Sequence, residues 1–299
     1  MTRAVDGDPG DDTLATWEDL VVLAGGISLT AFAWQAAGER DAPPFVLLHG
    51  VASTSRSWDG VAGRLSAAGH PVFEVDFRGH GRSDRPDTGY DLATYASDVA
   101  AVIAGVGLRR PILVGHSLGA MVALEAVARD ARLARGLALV EGGLVDANVQ
   151  YASLEECLAK LRLPAVGGMP AARVEGYLRM TNPAWPPERV AAAMAAFDVL
   201  ADGTVAWRLT PPRLESLGRS MWQQHAPRLW PEVRVPMLIV AAETGDAAWT
   251  AQKCEAAAVA ERGASTVRVE WLAGDHAIHE AQPEALANHL LAAATELWD

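Results

Sequence analysis

Apolar positions change their period along this chain, and each change marks an element. From Leu20 to Trp34 two apolar runs are split by Gly25-Gly26, a hairpin signal. Phe45-Val46-Leu47-Leu48 is continuously apolar, as in a strand buried on both faces. Trp58 to Ala68 then has helical spacing, with Trp58, Val61 and Leu65 on one side. Strand and helix go on alternating: Pro71–Val75, a helix over Leu92–Val106, Ile112–Val114, a helix from Ala120, and Leu137–Val140. That rhythm predicts βαβ units, hence an α/β fold with a mostly parallel sheet and helices on both faces.

The rhythm breaks between Asp146 and Thr210, where helical patterns follow one another with no strand between them. Residues 187–201 are the clearest, with Val190, Met194, Phe197 and Leu200 on one face and Pro186-Pro187 at the start. Met169, Met180, Met194, Trp185 and Trp207 also fall here; they suit either an apolar lid over a pocket or filler between lid and core. A helix near Arg213–Gln224 leads back to strands over Val235–Val240 and Val267–Leu272 and a last helix over Pro283–Trp298. The expected organisation is a disordered lead-in at 1–13, a core in two parts (14–145 and 211–299) and a helical cap at 146–210.

One stretch carries candidate chemistry. Ile112-Leu113-Val114 runs into Gly115-His116-Ser117-Leu118-Gly119, and a small-residue helix follows. Strand, G-x-S-x-G, helix is the context of a nucleophile elbow, a tight turn that lifts a serine hydroxyl above the sheet edge. The bland alternative is a serine in a structural turn. A serine hydroxyl needs a base within reach, and the base an orienting acid. Among eight histidines, His276 in Gly274-Asp275-His276-Ala277-Ile278-His279 follows the last strand and so opens on the elbow's edge. His70, His225 and His289 have no partner signal, and His116 points away from the serine beside it. A metal reading of His276 and His279 lacks accompanying ligands at suitable spacing. The residues call for no cofactor.

Composition narrows the partners. A net charge of −12 argues against nucleic acid, which needs a basic footprint. No apolar run reaches the ~18–20 residues of a membrane span, and the acidic start lacks a signal-peptide pattern. Two cysteines, Cys157 and Cys254, fit a reducing compartment, so a cytoplasmic location is expected. Only two of the 25 basic residues are lysine, Lys160 and Lys253, which reads as the bias of a GC-rich bacterial genome.

Four motifs together (His49-Gly50, Asp76–Asp84, Gly115–Gly119 and His276–Pro283) resemble the α/β-hydrolase superfamily, specifically its cap-bearing esterases, lactonases and carbon–carbon bond hydrolases. The resemblance covers about residues 20–298 and is weakest in the cap. It implies His276 as base, with Pro283 seven residues on; an acidic residue often found two before that proline is Ala281 here. It implies an acid after the strand that follows the cap, where Asp246 lies, or after the strand that precedes it, where Glu141 lies; Asp246 is preferred, then Glu141, then Glu243. Backbone N–H groups of Leu118 and, by the resemblance, Val51 would form the oxyanion hole. The Asp76–Asp84 run is read as a salt-bridged turn that supports the site.

The expected activity is hydrolysis of a carboxylic ester or lactone of a small-to-medium hydrophobic molecule, through an acyl-enzyme. The same residues would serve carbon–carbon bond hydrolysis, acyl transfer, or a small-molecule receptor with a vestigial site. The residues say nothing about oligomeric state.

Overall fold

A computed structural model of the protein describes residues 17–38, 42–183 and 185–298; the expected lead-in at 1–13 lies outside them. Its centre is an eight-stranded sheet in the order β1-β2-β4-β3-β5-β6-β9-β10. The strands are β1 Trp17–Ala24, β2 Ile27–Trp34, β3 Phe45–Leu48, β4 Val72–Val75, β5 Ile112–His116, β6 Gly136–Val140, β9 Met237–Glu243 and β10 Val267–Ala273. Only the pairings of β2, with β1 and with β4, are antiparallel; every other pair is parallel.

The continuous apolar runs are explained by what covers each face. In β3, Phe45 and Leu47 join one buried cluster while Val46 and Leu48 join the other. The same alternation holds in β6, with Ala138 and Val140 against Leu137 and Leu139, and in β9, with Leu238 and Val240 against Met237 and Ile239. One face is covered by α1 (Asp59–Ala67) and α12 (Pro283–Glu296), which bring Val61, Leu65, Leu286 and Leu290. The other is covered by α2 (Leu92–Val106), α3 (Leu118–Arg129) and α10 (Ala247–Gly263). Burying side chains from both sides of each central strand removes enough apolar surface to hold the sheet's middle without polar faces.

Between β6 and β9 the chain leaves the sheet. It forms α4 (Ala147–Gln150), α5 (Leu154–Lys160), α6 (Ala171–Thr181), α7 (Pro187–Met194), a hairpin of β7 (Phe197–Val199) and β8 (Val205–Trp207), then α8 (Pro211–Gln223) and α9 (Ala226–Leu229). The expectation of an all-helical insertion, with one helix over 187–201, is corrected here. α7 stops at Met194, and Gly203, at φ 80°, closes a turn that pairs Phe197 with Trp207. A β-branched and aromatic run beside a glycine turn favours strand over further helical turns. Phe197 then packs in the insertion's own small core with Val174, Ala196 and Val205, and Met169, Met194 and Trp207 pack against it. Ion pairs tie this segment to the sheet layer: Arg189 to Glu280 at 2.7 Å, and Arg85 to Asp198.

Candidate active site

β5 delivers the elbow. Ser117 has φ 53° and ψ −114°, a conformation that side chains with a Cβ rarely hold and that packing on all sides must enforce. The flanking glycines explain how the turn closes. A Cβ on Gly115 would sit on the backbone of Gly119, and one on Gly119 on the carbonyl of Leu48. Leu118 opens α3, so its N–H is one of the first amides that no helical carbonyl can engage.

The loop after β3 comes alongside. A Cβ on Gly50 would lie 3.4 Å from that of Ser117, so glycine lets this backbone approach the serine. Neutral histidines hold the loop in place. His49 donates from Nδ1 to the Gly50 carbonyl at 2.8 Å and accepts from the Phe77 amide at 3.1 Å. His80 Nε2 accepts from the Ala52 amide at 3.3 Å. Burial pushes His49 down to about 4 and, with His49 as neighbour, His80 down to about 3, so both are acceptors as well as donors at neutral pH. The Asp76–Asp84 run braces the same loop: Asp76 accepts from the Ser55 amide at 2.8 Å, and Arg78 pairs with Asp98 at 2.6 Å. Val51, whose amide the resemblance assigns to the oxyanion hole, lies in this braced segment.

α11 (Ile278–Ala281) and the turn before it hold the histidines. His276 is exposed and, with Ser117 and Glu141, lines one cavity of roughly 330 Å3. His279 is 2 % exposed, stacked on His116 at 4.0 Å and tilted over Trp58 at 4.7 Å. His116, set aside in the sequence as pointing away from Ser117, donates from Nε2 to the carbonyl of His276 at 2.7 Å. Burial and the neighbouring His276 push His116 down to about 3, which keeps it a neutral brace.

The carboxylates part company. Glu141, at φ 48° just past β6, has a buried side chain, and its Oε2 accepts from His276 Nδ1 at 3.4 Å. Its Oε1 accepts from the Ala242 amide at 2.5 Å and from Lys253 Nζ at 2.7 Å. Burial pulls this carboxyl upward, but hydrogen bonds from His276, Lys253 and Ala242 outweigh it and hold it below the usual carboxylate range. Asp246, the acid preferred from sequence, is exposed and spent elsewhere: its Oδ1 accepts from the Ala248 and Trp249 amides, both at 3.0 Å, and caps α10. Glu243 is exposed at the end of β9, with no part in this cluster. The geometry therefore brings Glu141 rather than Asp246 to His276, because a carboxylate at an N-cap faces amides of its own helix. Lys253 stood out in the sequence only as one of two lysines, and nothing in the pattern gave it a role.

Met121, Leu144, Met221, Ile239 and Trp249 give the cavity its apolar wall, and Tyr151, Cys157 and Leu161 close it from the insertion. Of the Met and Trp residues read as either lid or filler, none lines this cavity. Met169, Met194 and Trp207 pack on the insertion's own core, Met180 is 71 % exposed, and Trp185 stacks under Arg189 at 4.2 Å. Among the described residues, no three or more His, Cys, Asp or Glu are grouped so as to hold a metal ion. Among them, too, no helix is long and apolar enough to cross a membrane.

Comparison with known proteins agrees with this architecture. Residues 45–289 match the model of the Alpha/beta hydrolase family. A 2-(acetamidomethylene)succinate hydrolase of Mesorhizobium japonicum is 28 % identical over 245 residues, which are 81 % of this chain and 84 % of that one. A crystal structure of E-2-(acetamidomethylene)succinate hydrolase superposes with a TM-score of 0.72 at 26 % identity, covering 93 % of this chain and 98 % of the other. An uncharacterised protein of Mycobacterium tuberculosis is 36 % identical over 143 residues, 46 % of this chain but only 41 % of that relative's length.

Proposed function

Because the chain belongs to the alpha/beta hydrolase family, we propose that it hydrolyses an uncharged, apolar carboxylic ester or lactone with Ser117, His276 and Glu141 as its triad. The observation that carries this reading is the shared cavity edge, where Ser117, His276 and a buried, hydrogen-bonded Glu141 line one apolar space. In this scheme Ser117 Oγ attacks the substrate carbonyl while His276 Nε2 takes the hydroxyl proton. Glu141 fixes the tautomer with hydrogen on Nδ1 and stabilises the imidazolium. Backbone N–H groups of Leu118 and Val51 receive the developing oxyanion. His276 returns its proton to the leaving oxygen, and water, deprotonated by the same imidazole, releases the acyl group and regenerates the hydroxyl.

The substrate class follows from the cavity's charge. Its one cation among the described lining residues, Lys253, already donates to Glu141 and to the Ala242 carbonyl. A carboxylate on the substrate would enter beside Glu141 with no uncommitted cation to meet it, and an unpaired charge in an apolar site is costly. The Mesorhizobium relative is named for a succinate derivative; this cavity favours a neutral acyl or ring group of modest size. Cytoplasmic location and a small-molecule partner are part of the same reading. The test is turnover of p-nitrophenyl butyrate and a lactone series by the parent and Ser117→Ala. Loss of turnover with an unchanged circular dichroism spectrum supports it; undiminished turnover would falsify it. Product analysis with a β-diketone or an alcohol acceptor separates carbon–carbon cleavage and acyl transfer, and a single slow turnover with trapped ligand marks a receptor.

A further inference from the structure

We infer that Lys253 is a positioning residue of this hydrolytic site, whose ammonium fixes the Glu141 carboxylate and limits how strongly it supports the charge on His276. The inference rests on the Ser117–His276–Glu141 reading and goes beyond it, to the pH range in which the site works.

Lys253 comes from α10, behind the cavity wall. Its side chain is 4 % exposed, as is that of Glu141, and Nζ donates to Glu141 Oε1 at 2.7 Å and to the Ala242 carbonyl at 2.7 Å. Its ammonium also lies 5.4 Å from the Trp249 ring. Almost every other basic position in the chain is arginine. A compact ammonium with rotatable donors can reach two oxygens in a closed corner where a planar guanidinium fork is harder to seat. The division of oxygens carries the argument. Lysine and the Ala242 amide share Oε1, which leaves Oε2 to His276. The carboxylate cannot rotate away without breaking two bonds to Oε1.

The charge has a second consequence. A lone buried carboxylate beside an imidazole would bind its proton tightly and turn the pair into a permanent ion pair, with the base already protonated. A cation on the far oxygen offsets that attraction and leaves His276 free to accept the serine proton. The other titratable groups at this corner are His116, from β5, whose ring is 4.8 Å from that of His276, and His279, stacked behind it. Both are held neutral by burial, and Asp275, next to His276 in the chain, is exposed and accepts from the Ala277 amide, so Lys253 and Glu141 are the buried charges at this corner.

The experiment is the pH profile of kcat/KM for p-nitrophenyl butyrate with the parent, Lys253→Met and Lys253→Arg. Removing the charge should move the acid limb upward by about one pH unit, as expected for deleting a unit charge in a partly buried site. Lys253→Arg should keep the limb at the parent position even if its plateau falls. An unmoved limb in a folded Lys253→Met variant overturns the inference and leaves the lysine a structural brace. If that variant does not fold, NMR titration of the His276 imidazole in Glu141→Gln and in Glu141→Gln/Lys253→Met supplies the answer. The double variant, with no buried charge, should titrate at higher pH than Glu141→Gln; equal midpoints overturn the inference. Full activity in Glu141→Gln, by contrast, would sink the triad reading itself, so the two failures are distinguishable.

Discussion

Two loops leave neighbouring parallel strands, β6 and β9, at the same edge of the sheet, and each presents a carboxylate. After β6, Glu141 turns inward at φ 48°, is buried, and meets three donors from three different segments of chain. After β9, Gly245 at φ 82° lets the chain turn outward, and Asp246 spends its carboxylate on the first amides of α10. The edge of the sheet decides only that both acids are nearby. What each one does is set by the first hydrogen-bond donors it meets: amides one turn away for the short side chain, and an imidazole more than a hundred residues distant for the longer one. Glu74 completes the comparison. It is more fully buried than Glu141, and with burial and the Asp59 carboxyl against it, it is pushed well above the usual range. Burial alone therefore does not make a working anion; cations and N–H donors do.

The comparison can be broken or sharpened by substitution. Ser117→Ala sets the floor, with kcat/KM for p-nitrophenyl butyrate falling by at least about 10⁴-fold. Glu141→Gln should approach it, losing about 10²–10⁴-fold in kcat because a neutral amide neither fixes the imidazole tautomer nor stabilises its cation. If Asp246→Ala gave the larger loss instead, the assignment of the two loops would be reversed. Glu74→Gln should act on stability rather than turnover, and only away from acid pH. Because the folded-state pKa of Glu74 lies above its ordinary 4.5, its protonated form supports the fold at low pH and that support is lost as pH rises. Glutamine does not titrate, so the variant's Tm should gain on the parent's from about pH 5 upward, as thermal melts at several pH values will show. The smallest effect belongs to Asp246→Ala: unchanged kcat/KM and a stability loss of about 1 kcal/mol from the missing cap, or roughly 2–4 °C in Tm.

Much of the sheet was legible before any coordinates, because strands covered on both faces must be apolar throughout and helices between them must show a 3.6-residue period. The helix over Leu92–Val106 and the hairpin turn at Gly25-Gly26 were readable to the residue, though the first strand of that hairpin starts at Trp17 rather than Leu20. The elbow was legible for a related reason: a turn this tight excludes a Cβ at Gly115 and Gly119, and that exclusion is written as glycine. The insertion was less so. Its helices are short and amphipathic over few turns, and a three-residue strand such as Phe197–Val199 leaves a pattern indistinguishable from one face of a helix.

What the sequence by itself determined is which hydroxyl is lifted and which imidazole arrives from the far end of the chain, since both depend on local turns at the ends of predictable strands. Only the tertiary structure decided which carboxylate meets that imidazole and which lysine holds it. Glu141, Lys253 and Ala242 are brought together by the pairing of β6 with β9 and the packing of α10 behind them, and no local spacing records a contact between residues 112 positions apart. A helix cap and a carboxylate that meets an imidazole look alike along the chain, because each is an acidic residue in a loop; the donors that tell them apart exist only once the sheet has formed.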